Sequence, residues 1–451
     1  MRLRTAQLDV HRLRQFVAAG DAQAAAEMTS ALIPTELADL LLQLGPSDLA
    51  HLEPYIGSER LADAVAELDP TEAARLILRF SRAGAADILE EMEPDDATDI
   101  VEELEDAEAQ DLLGEMRAEE AQEIRELLAY PPHTAGGRMT PEFVSVSPAV
   151  TVAAAMRLIR AHAPSAETIY YVYVTDRTDR LVGVVSLREL IIADPQRRIG
   201  EIMRRQVLHV PAHADQENVA RLLTDHDLLA LPVVDGLGRL VGVVTADDVA
   251  DVLEEEATED IERLGGAQPL ATPYLAAPLS ELFRKRIVWL LILFLAGTYT
   301  SFVLQSFSDT LAHVVALSFF VPLLIGTGGN VGSQIVTTVV RALAVGDVEL
   351  RDARRVIARE LLVGLGIAAV MAAVIFVRAE TMDVGLDVAK AVALSAIFIV
   401  LWSAVVAAGL PLVLQRLRLD PAVVSAPLLT TFVDGTGLVM YLATARVVLG
   451  L

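Results

Sequence analysis

The chain contains no cysteine. This absence excludes disulfide bonds, thiolate catalysis and zinc sites built from thiolates. The opening residues MRLRTAQLDVHRLRQF lack an apolar core, so we expect no secretory signal peptide in this stretch. The region that follows is therefore expected to stay in the cytoplasm.

Basic residues are scarce in the first part of the chain. Residues 1–268 carry 51 acidic and 23 basic side chains, a net charge of −28, whereas residues 269–451 carry 11 and 13, a net charge of +2. An acidic surface repels nucleic acid and attracts cations, so we expect no nucleic-acid partner. Hydrophobic residues make up 53% of the chain and the mean hydropathy is +0.45. The second part is therefore predicted to lie in a lipid bilayer.

A helical repeat occupies the acidic part. The segments LGPSDLAHL, LDPTEAARL and MEPDDATDI place prolines at positions 46, 70 and 94, a constant step of 24 residues. The next step falls on Ala118, where MRAEEAQEI keeps the pattern without a proline. Proline at the first helical position is a helix-start signal. Residues from about 30 to 129 are thus predicted to form a small solenoid of paired short helices. A helical bundle with coincidental spacing is the alternative.

A second repeat follows the helix-breaking segment AYPPHTAGGRMTPE. The stretches YYVYVTDRTDRLVGVVSLREL and ALPVVDGLGRLVGVVTADDV are two copies of one unit. Each copy has a β-branched strand, a polar turn, a second strand RLVGVV and a helix start at Ser186 or Thr245. This α/β tandem repeat resembles a pair of CBS domains, which is sensory or regulatory far more often than catalytic. We therefore expect no enzyme activity.

An acidic stretch, ADDVADVLEEEATEDIERLGG, connects this pair to the apolar region. Its apolar residues from Val249 to Leu264 recur at helical spacing, while the opposite face is nearly all Asp and Glu. Like charges three and four residues apart destabilise a helix. The stretch is either a solvated connector or a surface whose repulsion is relieved only when divalent cations bind.

Five apolar segments are each long enough to cross a bilayer, which takes about 20 residues. Basic residues precede the first segment and lie between the second and third and between the fourth and fifth, whereas Glu380, Asp383 and Asp387 lie between the third and fourth. The positive-inside rule makes the basic segments cytoplasmic and the C-terminus external. The predicted spans are 287–307, 311–340, 360–377, 389–414 and 422–449.

The second span contains VPLLIGTGGNVGSQ. Pro322 and four glycines in so short a run predict a break in the helix, and irregular backbone at that depth is tolerated only where it faces protein or a water-filled cavity. Asn330, Ser333 and Gln334 add polar side chains, which favours a lining role. Close packing of helices at the glycines is the alternative.

The fifth span contains Asp434, with no Lys or Arg close in sequence. A charge at bilayer depth is costly, and intramembrane carboxylates usually mark ion or proton paths. A structural hydrogen bond to a neighbouring helix is the alternative. Hard oxygen ligands suit Mg²⁺ or Ca²⁺. Because Mg²⁺ sheds water reluctantly, it would pass largely hydrated. A twofold dimer would bring two copies of Asp434 to one axis.

Nearly the whole chain resembles the MgtE family of magnesium transporters. The motifs that carry the resemblance are AGGRMTPEFVSV, EEEATEDIERLGG, VPLLIGTGGNVGSQ, RALAVGDVELRD and DPAVVSAPLLTTFVDGTGL, in this order. The resemblance implies a homodimeric Mg²⁺ channel of the bacterial inner membrane, in which the connecting helix acts as a plug and cytoplasmic Mg²⁺ favours the closed state. The predicted fold is a multidomain membrane protein with an all-α solenoid N domain (1–131), an α/β tandem CBS pair (132–250), a connecting acidic helix with its linker (251–277) and a five-helix transmembrane domain (278–451).

The resemblance also implies site residues, motif by motif. Asp434 would be the central pore ligand, with Asn330 lining the pore and Asp420 near its cytoplasmic mouth. Gly435, directly after the key aspartate, is unusual and is expected to loosen the helix there. The regulatory Mg²⁺ ligands would be Asp95, Asp99, Asp215, Glu217, Asp227, Asp248, Asp251, Glu256 and Glu259.

Two features separate this sequence from other members of the family. Some members bind ATP in the CBS pair, and Tyr171 and Arg188 fit stacking and phosphate-binding roles, but Leu228 offers no aromatic face. Some members carry Asn after the serine that corresponds to Ser425, whereas Ala426 has no side-chain oxygen. ATP is therefore an expected ligand beside Mg²⁺, and this expectation rests on Tyr171 and Arg188 alone.

Two other functions remain open from the residues. A secondary transporter coupled to H⁺ or Na⁺ would use Asp434 as a proton carrier. A membrane-tethered sensor would bind divalent cations without any flux. Recording currents without a proton gradient separates the first from a channel, and ion uptake into liposomes excludes the second.

Overall fold

The computed structural model describes residues 13, 15–16, 22–162, 168–270, 274–275 and 277–451. The chain divides into two compact units, Met1–Glu256 and Ala257–Leu451. The segment after the acidic helix packs with the membrane region, since the Gln268 backbone N–H donates to the Lys285 carbonyl at 3.2 Å.

Short helices of similar length fill the first unit up to Leu127. Two interleaved series share the 24-residue step: one starts at 22, 46, 70, 94 and 118, the other at 34, 58, 82 and 106. Most helices of the array pack against the next but one, which confirms the solenoid. The helices are α1 (Ala22–Ser30), α2 (Pro34–Leu42), α3 (Pro46–Ile56), α4 (Ser58–Ala66), α5 (Pro70–Ile77), α6 (Arg82–Glu90), α7 (Pro94–Glu102), α8 (Asp106–Glu115) and α9 (Ala118–Leu127).

Local capping and burial explain why these short helices form. Pro46, Pro70 and Pro94 each occupy the first turn, where the missing N–H costs nothing. The Asp69 side chain accepts a hydrogen bond from the Thr71 backbone N–H at 3.0 Å. Helices of this length are marginal alone, so the shared core of buried Leu, Ile, Val and Ala side chains supplies most of their stability.

The two α/β copies have the same topology. In each three-stranded sheet the central strand pairs parallel to a short strand and antiparallel to its successor. The same register shift recurs at Val174/Thr175 and at Val233/Val234. The elements of the first copy are β1 (Ser145–Val146), α10 (Val152–His162), β2 (Tyr171–Thr175), β3 (Leu181–Ser186) and α11 (Leu187–Ile192), followed by α12 (Ile199–Ile202); those of the second are β4 (Val210–Pro211), α13 (Gln216–Asp225), β5 (Ala230–Val234), β6 (Leu240–Thr245) and α14 (Ala246–Leu264).

Helix α14 is the predicted acidic helix. It begins at Ala246, directly after β6, in agreement with the helix start predicted at Thr245. Val249 and Val252 are buried, which anchors its first turns in the core of the second copy. The linker residues 271–273 and 276 lie outside the described residues.

Five helical segments of the second unit are long and apolar enough to cross a membrane, which confirms the predicted number. They extend past the apolar runs because backbone hydrogen bonding continues through the charged ends. Arg284, for example, lies within α15 and not before it. The helices are α15 (Leu279–Ser306), α16 (Ser308–His313), α17 (Val321–Ala344), α18 (Ala353–Thr381), α19 (Leu386–Arg416) and α20 (Ala426–Leu449), with 3₁₀ turns at Val315–Phe320, Leu350–Asp352 and Pro421–Val423.

The predicted helix break in the second span is wrong. Helix α17 is continuous from Val321 to Ala344, because Pro322 lies in its first turn, where proline is tolerated. Its glycines instead allow close helix packing: a Cβ on Gly328 would lie 2.7 Å from Ile399 Cγ2, and one on Gly332 would lie 2.7 Å from Ser403 Oγ. The packing alternative is therefore the correct one for these glycines.

Gly435 does not loosen the fifth span either. Helix α20 runs without interruption through this position. A Cβ on Gly435 would lie 2.5 Å from Cδ1 of Tyr299, so the glycine lets the tyrosine ring of α15 lie against the backbone of α20.

Gly328→Ala should lower the melting temperature of the membrane unit by several degrees. Overpacking of a tight interface costs about 1–3 kcal/mol, and 1 kcal/mol corresponds to about 2–4 °C in a unit of this size. Gly366→Ala is the matched control, since nothing lies within 4 Å of the added Cβ. Tryptophan fluorescence during heating is a selective readout, because Trp289 and Trp402, the two tryptophans of the chain, both lie in this unit. Equal melting temperatures for the two variants would contradict the packing role.

Candidate pore and regulatory sites

Asp434 lies about a third of the way along α20, as the ninth of its 24 residues, beside α17. A Cβ on Gly329 would lie 3.5 Å from Asp434 Oδ1, so the absence of a side chain on α17 leaves room for the carboxylate. Asp434 Oδ1 is buried, and no described residue donates a hydrogen bond to it. The alternative explanation for Asp434 was a structural hydrogen bond to a neighbouring helix. Among the described residues, Asp434 Oδ1 forms no such bond.

A short polar line continues from Asp434 towards the start of α20. Ser333 Oγ and Thr430 Oγ1 are 3.3 Å apart, joining α17 to α20. Thr430 is four residues before Asp434, and Ser333 is four residues after Gly329, so each pair shares one helix face. The matched spacing of Gly329 and Ser333 with Thr430 and Asp434 is the sequence signal that points to this interface.

Asn330 follows Gly329 on α17, and its side chain is exposed. In the described part of the chain it forms no hydrogen bond with Asp434. The two residues therefore lie on neighbouring packed helices, α17 and α20, with no hydrogen bond between them among the described residues.

Asp420 is held by protein groups on both of its oxygens. Its Oδ1 accepts a hydrogen bond from the Ala422 backbone N–H at 2.8 Å, which caps the 3₁₀ turn before α20. Its Oδ2 forms an ion pair with Arg263, and Arg263 also pairs with Glu259 on α14. Two predicted ion ligands, Asp420 and Glu259, are thus brought together by one guanidinium.

The first turn of α20 is fixed by a hydrogen-bonded cap. Ser425 is the N-cap, and its Oγ accepts from the Leu428 backbone N–H at 3.2 Å and from Trp289 Nε1 at 3.1 Å. Ala426 is the first residue of the helix and supplies no side-chain oxygen.

Asp99 is joined to the connecting helix through Arg138. Arg138 Nη1 lies 2.8 Å from Asp99 Oδ2 on α7, and Nη2 lies 2.7 Å from Glu255 Oε2 on α14. Gln216 on α13 accepts from Arg138 Nε at 3.1 Å and donates to Glu256 Oε1 at 2.7 Å. Arg138, Gln216 and Glu255 were not predicted from the sequence, because only the fold brings them together.

Carboxylates of α7 and α14 lie close enough to repel one another. Burial, with the charges of Glu93 and Asp248, raises the pKa of Asp96 to about 8. Burial also raises the pKa of Asp248 and of Asp251. It raises that of Asp99 to about 6 although Arg138 acts in the opposite direction. Asp96, one residue beyond the predicted Asp95, is the residue most affected.

Three other predicted regulatory residues lie at or near the ends of helices. Asp95 is buried, with 7% of its surface exposed. Asp215 is the N-cap of α13 and accepts from the Glu217 backbone N–H at 3.0 Å. Asp227 follows the other end of this ten-residue helix, about 15 Å away. Among the described residues, no group of three or more His, Asp or Glu side chains is arranged to hold a bare metal ion.

Tyr171 and Arg188 are brought to one open cavity of about 540 Å³ in the first α/β copy. Tyr171 begins β2 and Arg188 lies in α11, directly after the capped turn at Ser186. The walls are mostly apolar, which suits a flat ring more than a free phosphate. The lining residues are Tyr170, Tyr171, Ser186, Leu187, Arg188, Ile191, Ile192 and Leu229.

Family models match most of the chain. One described as a divalent cation transporter, MgtE, matches residues 321–444. A model of the MgtE intracellular N domain matches residues 8–133, and the CBS domain model matches residues 135–195 and 199–255. The chain is thus a multi-span membrane protein that carries a helical N domain and a CBS pair.

Curated relatives agree with these matches. The magnesium transporter MgtE of Thermus thermophilus is 48% identical over 326 residues, covering 72% of each chain. That of Enterococcus faecalis is 36% identical over 321 residues, covering 70% of each chain. The chain therefore belongs to the MgtE family, and the resemblance drawn from its motifs is confirmed. Members of this family are named as transporters, which confirms that the chain is no enzyme.

Solved structures match the soluble part. The soluble part of a magnesium transporter has a TM-score of 0.52 at 37% identity and covers 56% of this chain and 99% of its own. The cytosolic domain of the Mg²⁺ channel MgtE in complex with ATP has a TM-score of 0.51 at 39% identity and covers 54% and 99%.

Asp96→Asn should make the stability of a fragment of residues 1–268 less dependent on pH when no divalent cation is present. Because the pKa of Asp96 is raised to about 8 in the folded state, the folded state binds more protons than the unfolded state, and stability falls as pH rises from about 4 to 8. The amide cannot ionise, so the variant should be more stable than wild type at pH 8.

Urea unfolding followed by circular dichroism from pH 5 to 9 is the measurement. Asp87→Asn, on the exposed face of α6, is the control and should keep the wild-type pH profile. An unchanged profile for Asp96→Asn would show that the carboxylates do not repel one another as described.

Proposed function

We propose that this protein transports Mg²⁺ across the bacterial inner membrane along a path that contains Asp434. The observation that carries the proposal is a carboxylate in the middle of a membrane span whose Oδ1 is buried with no described hydrogen-bond donor. None of the ion pairs found among the described residues includes it. An intramembrane carboxylate with no cation from its own chain favours a cation or a proton from solution, and hard oxygen ligands select Mg²⁺ or Ca²⁺ over softer metals.

The transported ion keeps most of its water. One carboxylate per protomer is too little to replace the hydration shell of Mg²⁺. A homodimer with its twofold axis near α20 would present two copies of Asp434 to one ion and so match its charge. Asn330 is exposed on α17, and it would line the same path through water. Asp420 would lie at the cytoplasmic mouth.

A channel is the proposed mode of transport. The secondary-transport alternative requires Asp434 to exchange protons or Na⁺ during each cycle. In that case Mg²⁺ uptake would depend on a gradient of the coupling ion, whereas a channel conducts Mg²⁺ along its own gradient. Uptake with no imposed H⁺ or Na⁺ gradient separates the two.

Cytoplasmic Mg²⁺ is proposed to close the pore. The carboxylates Asp96, Asp99, Asp248 and Asp251 repel one another in the compact first unit. Divalent cations that bind the compact state more tightly than an open one shift the population towards it. Hydrated Mg²⁺ would bridge these groups without the arrangement of three ligands that a bare ion needs. The remaining predicted ligands, Asp95, Asp215, Glu217, Asp227, Glu256 and Glu259, would contribute through water or after rearrangement.

ATP is a second proposed ligand of the CBS pair. The relative that crystallised with ATP supports it, and Tyr171 and Arg188 line the same cavity. Tyr171 would stack on the base and Arg188 would pair with phosphate.

Asp434→Asn should lower Mg²⁺ flux per folded dimer by at least about tenfold. Two unit charges 4 Å apart interact by about 4 kcal/mol at an effective dielectric constant of 20, and a divalent ion doubles this attraction. Even after screening by water, the loss of this attraction in the variant is large enough to lower the occupancy of the site by Mg²⁺. The measurement is uptake into liposomes, with the amount of folded protein taken from the fluorescence of Trp402, which donates to Thr436 on the same helix as Asp434.

Asp387→Asn is the matched control, because Asp387 pairs with Lys390 on an exposed loop-facing turn of α19 and should retain wild-type flux. Near wild-type flux from well-folded Asp434→Asn protein would remove Asp434 from the path.

The orientation gives a separate prediction. By the positive-inside rule, the basic segments after the second and fourth spans are expected to be cytoplasmic. A reporter fused after Gly346 should therefore be cytoplasmic, and one fused after Leu451 should be external. The reverse pattern would put the acidic unit outside the cell and would contradict sensing of intracellular Mg²⁺.

A further inference from the structure

Arg138 follows a segment of the chain that hydrogen bonds and close packing hold in place. The Ala135 backbone N–H donates to the Ala214 carbonyl at 2.7 Å, and the Gly136 N–H donates to the Ala212 carbonyl at 2.8 Å. A Cβ on Gly137 would lie 2.5 Å from the Pro131 carbonyl oxygen, so no side chain fits there. These contacts hold the backbone next to Arg138 in place, and so they restrict the directions in which its side chain can extend.

The guanidinium of Arg138 joins three structural elements. It lies between Asp99 of α7 and Glu255 of α14 and donates from Nε to Gln216 of α13, at 2.8, 2.7 and 3.1 Å. Only 15% of the Arg138 side chain is exposed, against 22% for Asp99 and 44% for Glu255. A planar guanidinium with donors on both sides suits such a bridge, whereas an ammonium does not.

The charge of Arg138 acts on more carboxylates than the two that it touches. It lowers the pKa of Asp99, Glu102, Asp248 and Asp251, against the effect of burial and of their acidic neighbours. Helices α7 and α14 thus face each other with an excess of negative charge and one half-buried positive charge between them.

We propose that Arg138 is a positioning residue that acts as a built-in cation. It adds one permanent positive charge to the contact of α7, α13 and α14, so that Mg²⁺ has to neutralise only the negative charge that Arg138 leaves. This inference rests on the proposed Mg²⁺ regulation of the first unit. It assigns a role to a residue that is not itself an ion ligand.

The test is hydrogen–deuterium exchange of the full-length protein in detergent, read on the amides of α7 and of residues 246–256. In chelator, Arg138→Met should exchange about tenfold faster than wild type, because a half-buried carboxylate left without its partner destabilises the contact. At millimolar Mg²⁺ the two proteins should converge, since Mg²⁺ then supplies the missing charge. Sodium chloride at equal ionic strength should not restore the variant.

Two further variants make the result decisive. Arg82→Met is the control, because Arg82 forms an exposed ion pair with Asp111 and its side chain is 70% exposed; it should match wild type throughout. Arg138→Met combined with Asp99→Asn removes both partners, and should exchange more slowly in chelator than Arg138→Met alone.

The outcomes separate this inference from the function on which it rests. If exchange of the wild type does not respond to Mg²⁺, then Mg²⁺ regulation fails. If the wild type responds, the inference is overturned by either of two results: Arg138→Met that equals wild type in chelator, or a loss that Mg²⁺ does not restore. The second result would mean that Arg138 is needed only for folding.

Discussion

Buried carboxylates have to be neutralised, and this constraint governs both units of the protein. Asp434 has one oxygen buried with no described hydrogen-bond donor. In the first unit, burial raises the pKa of Asp96 to about 8. Isolated buried charge costs several kcal/mol, so each place favours a cation or a proton. A divalent cation that is transported past Asp434 and also binds the carboxylates of the first unit would neutralise the negative charge at both sites.

Arginine and Mg²⁺ meet this demand in different ways. Arg138 and Arg263 are permanent charges, and each links two carboxylates from separate elements of its own unit. A solution ion comes and goes with its concentration. A cluster neutralised wholly by arginine would be stable at every Mg²⁺ concentration and could not act as a sensor. A cluster with no arginine would need several ions to assemble. If the proposed regulation holds, this mixture of arginine and unpaired carboxylates would let a change in Mg²⁺ concentration shift the balance between the compact and open states.

Features that repeat along the chain were predictable, and features made by tertiary contact were not. The 24-residue step of Pro46, Pro70 and Pro94 predicted the solenoid, and apolar length predicted the five spans. Glycines in the second span were misread as a break, because Pro322 lies in a first turn and the glycines meet Ile399 and Ser403. Asp434 could be selected from the sequence as a candidate site residue, because it is a carboxylate in a predicted span with no Lys or Arg close in sequence. Arg138 was not, since its partners are distant in sequence.

The most direct test of the account is Mg²⁺ uptake into liposomes that contain the purified protein, with no H⁺ or Na⁺ gradient. Uptake is measured with low and with millimolar Mg²⁺ on the side that carries the acidic unit. The account predicts uptake driven by the Mg²⁺ gradient alone, and a strong reduction when the acidic unit faces millimolar Mg²⁺. Uptake that requires an H⁺ or Na⁺ gradient, or that is unaffected by Mg²⁺ on the acidic side, would contradict it.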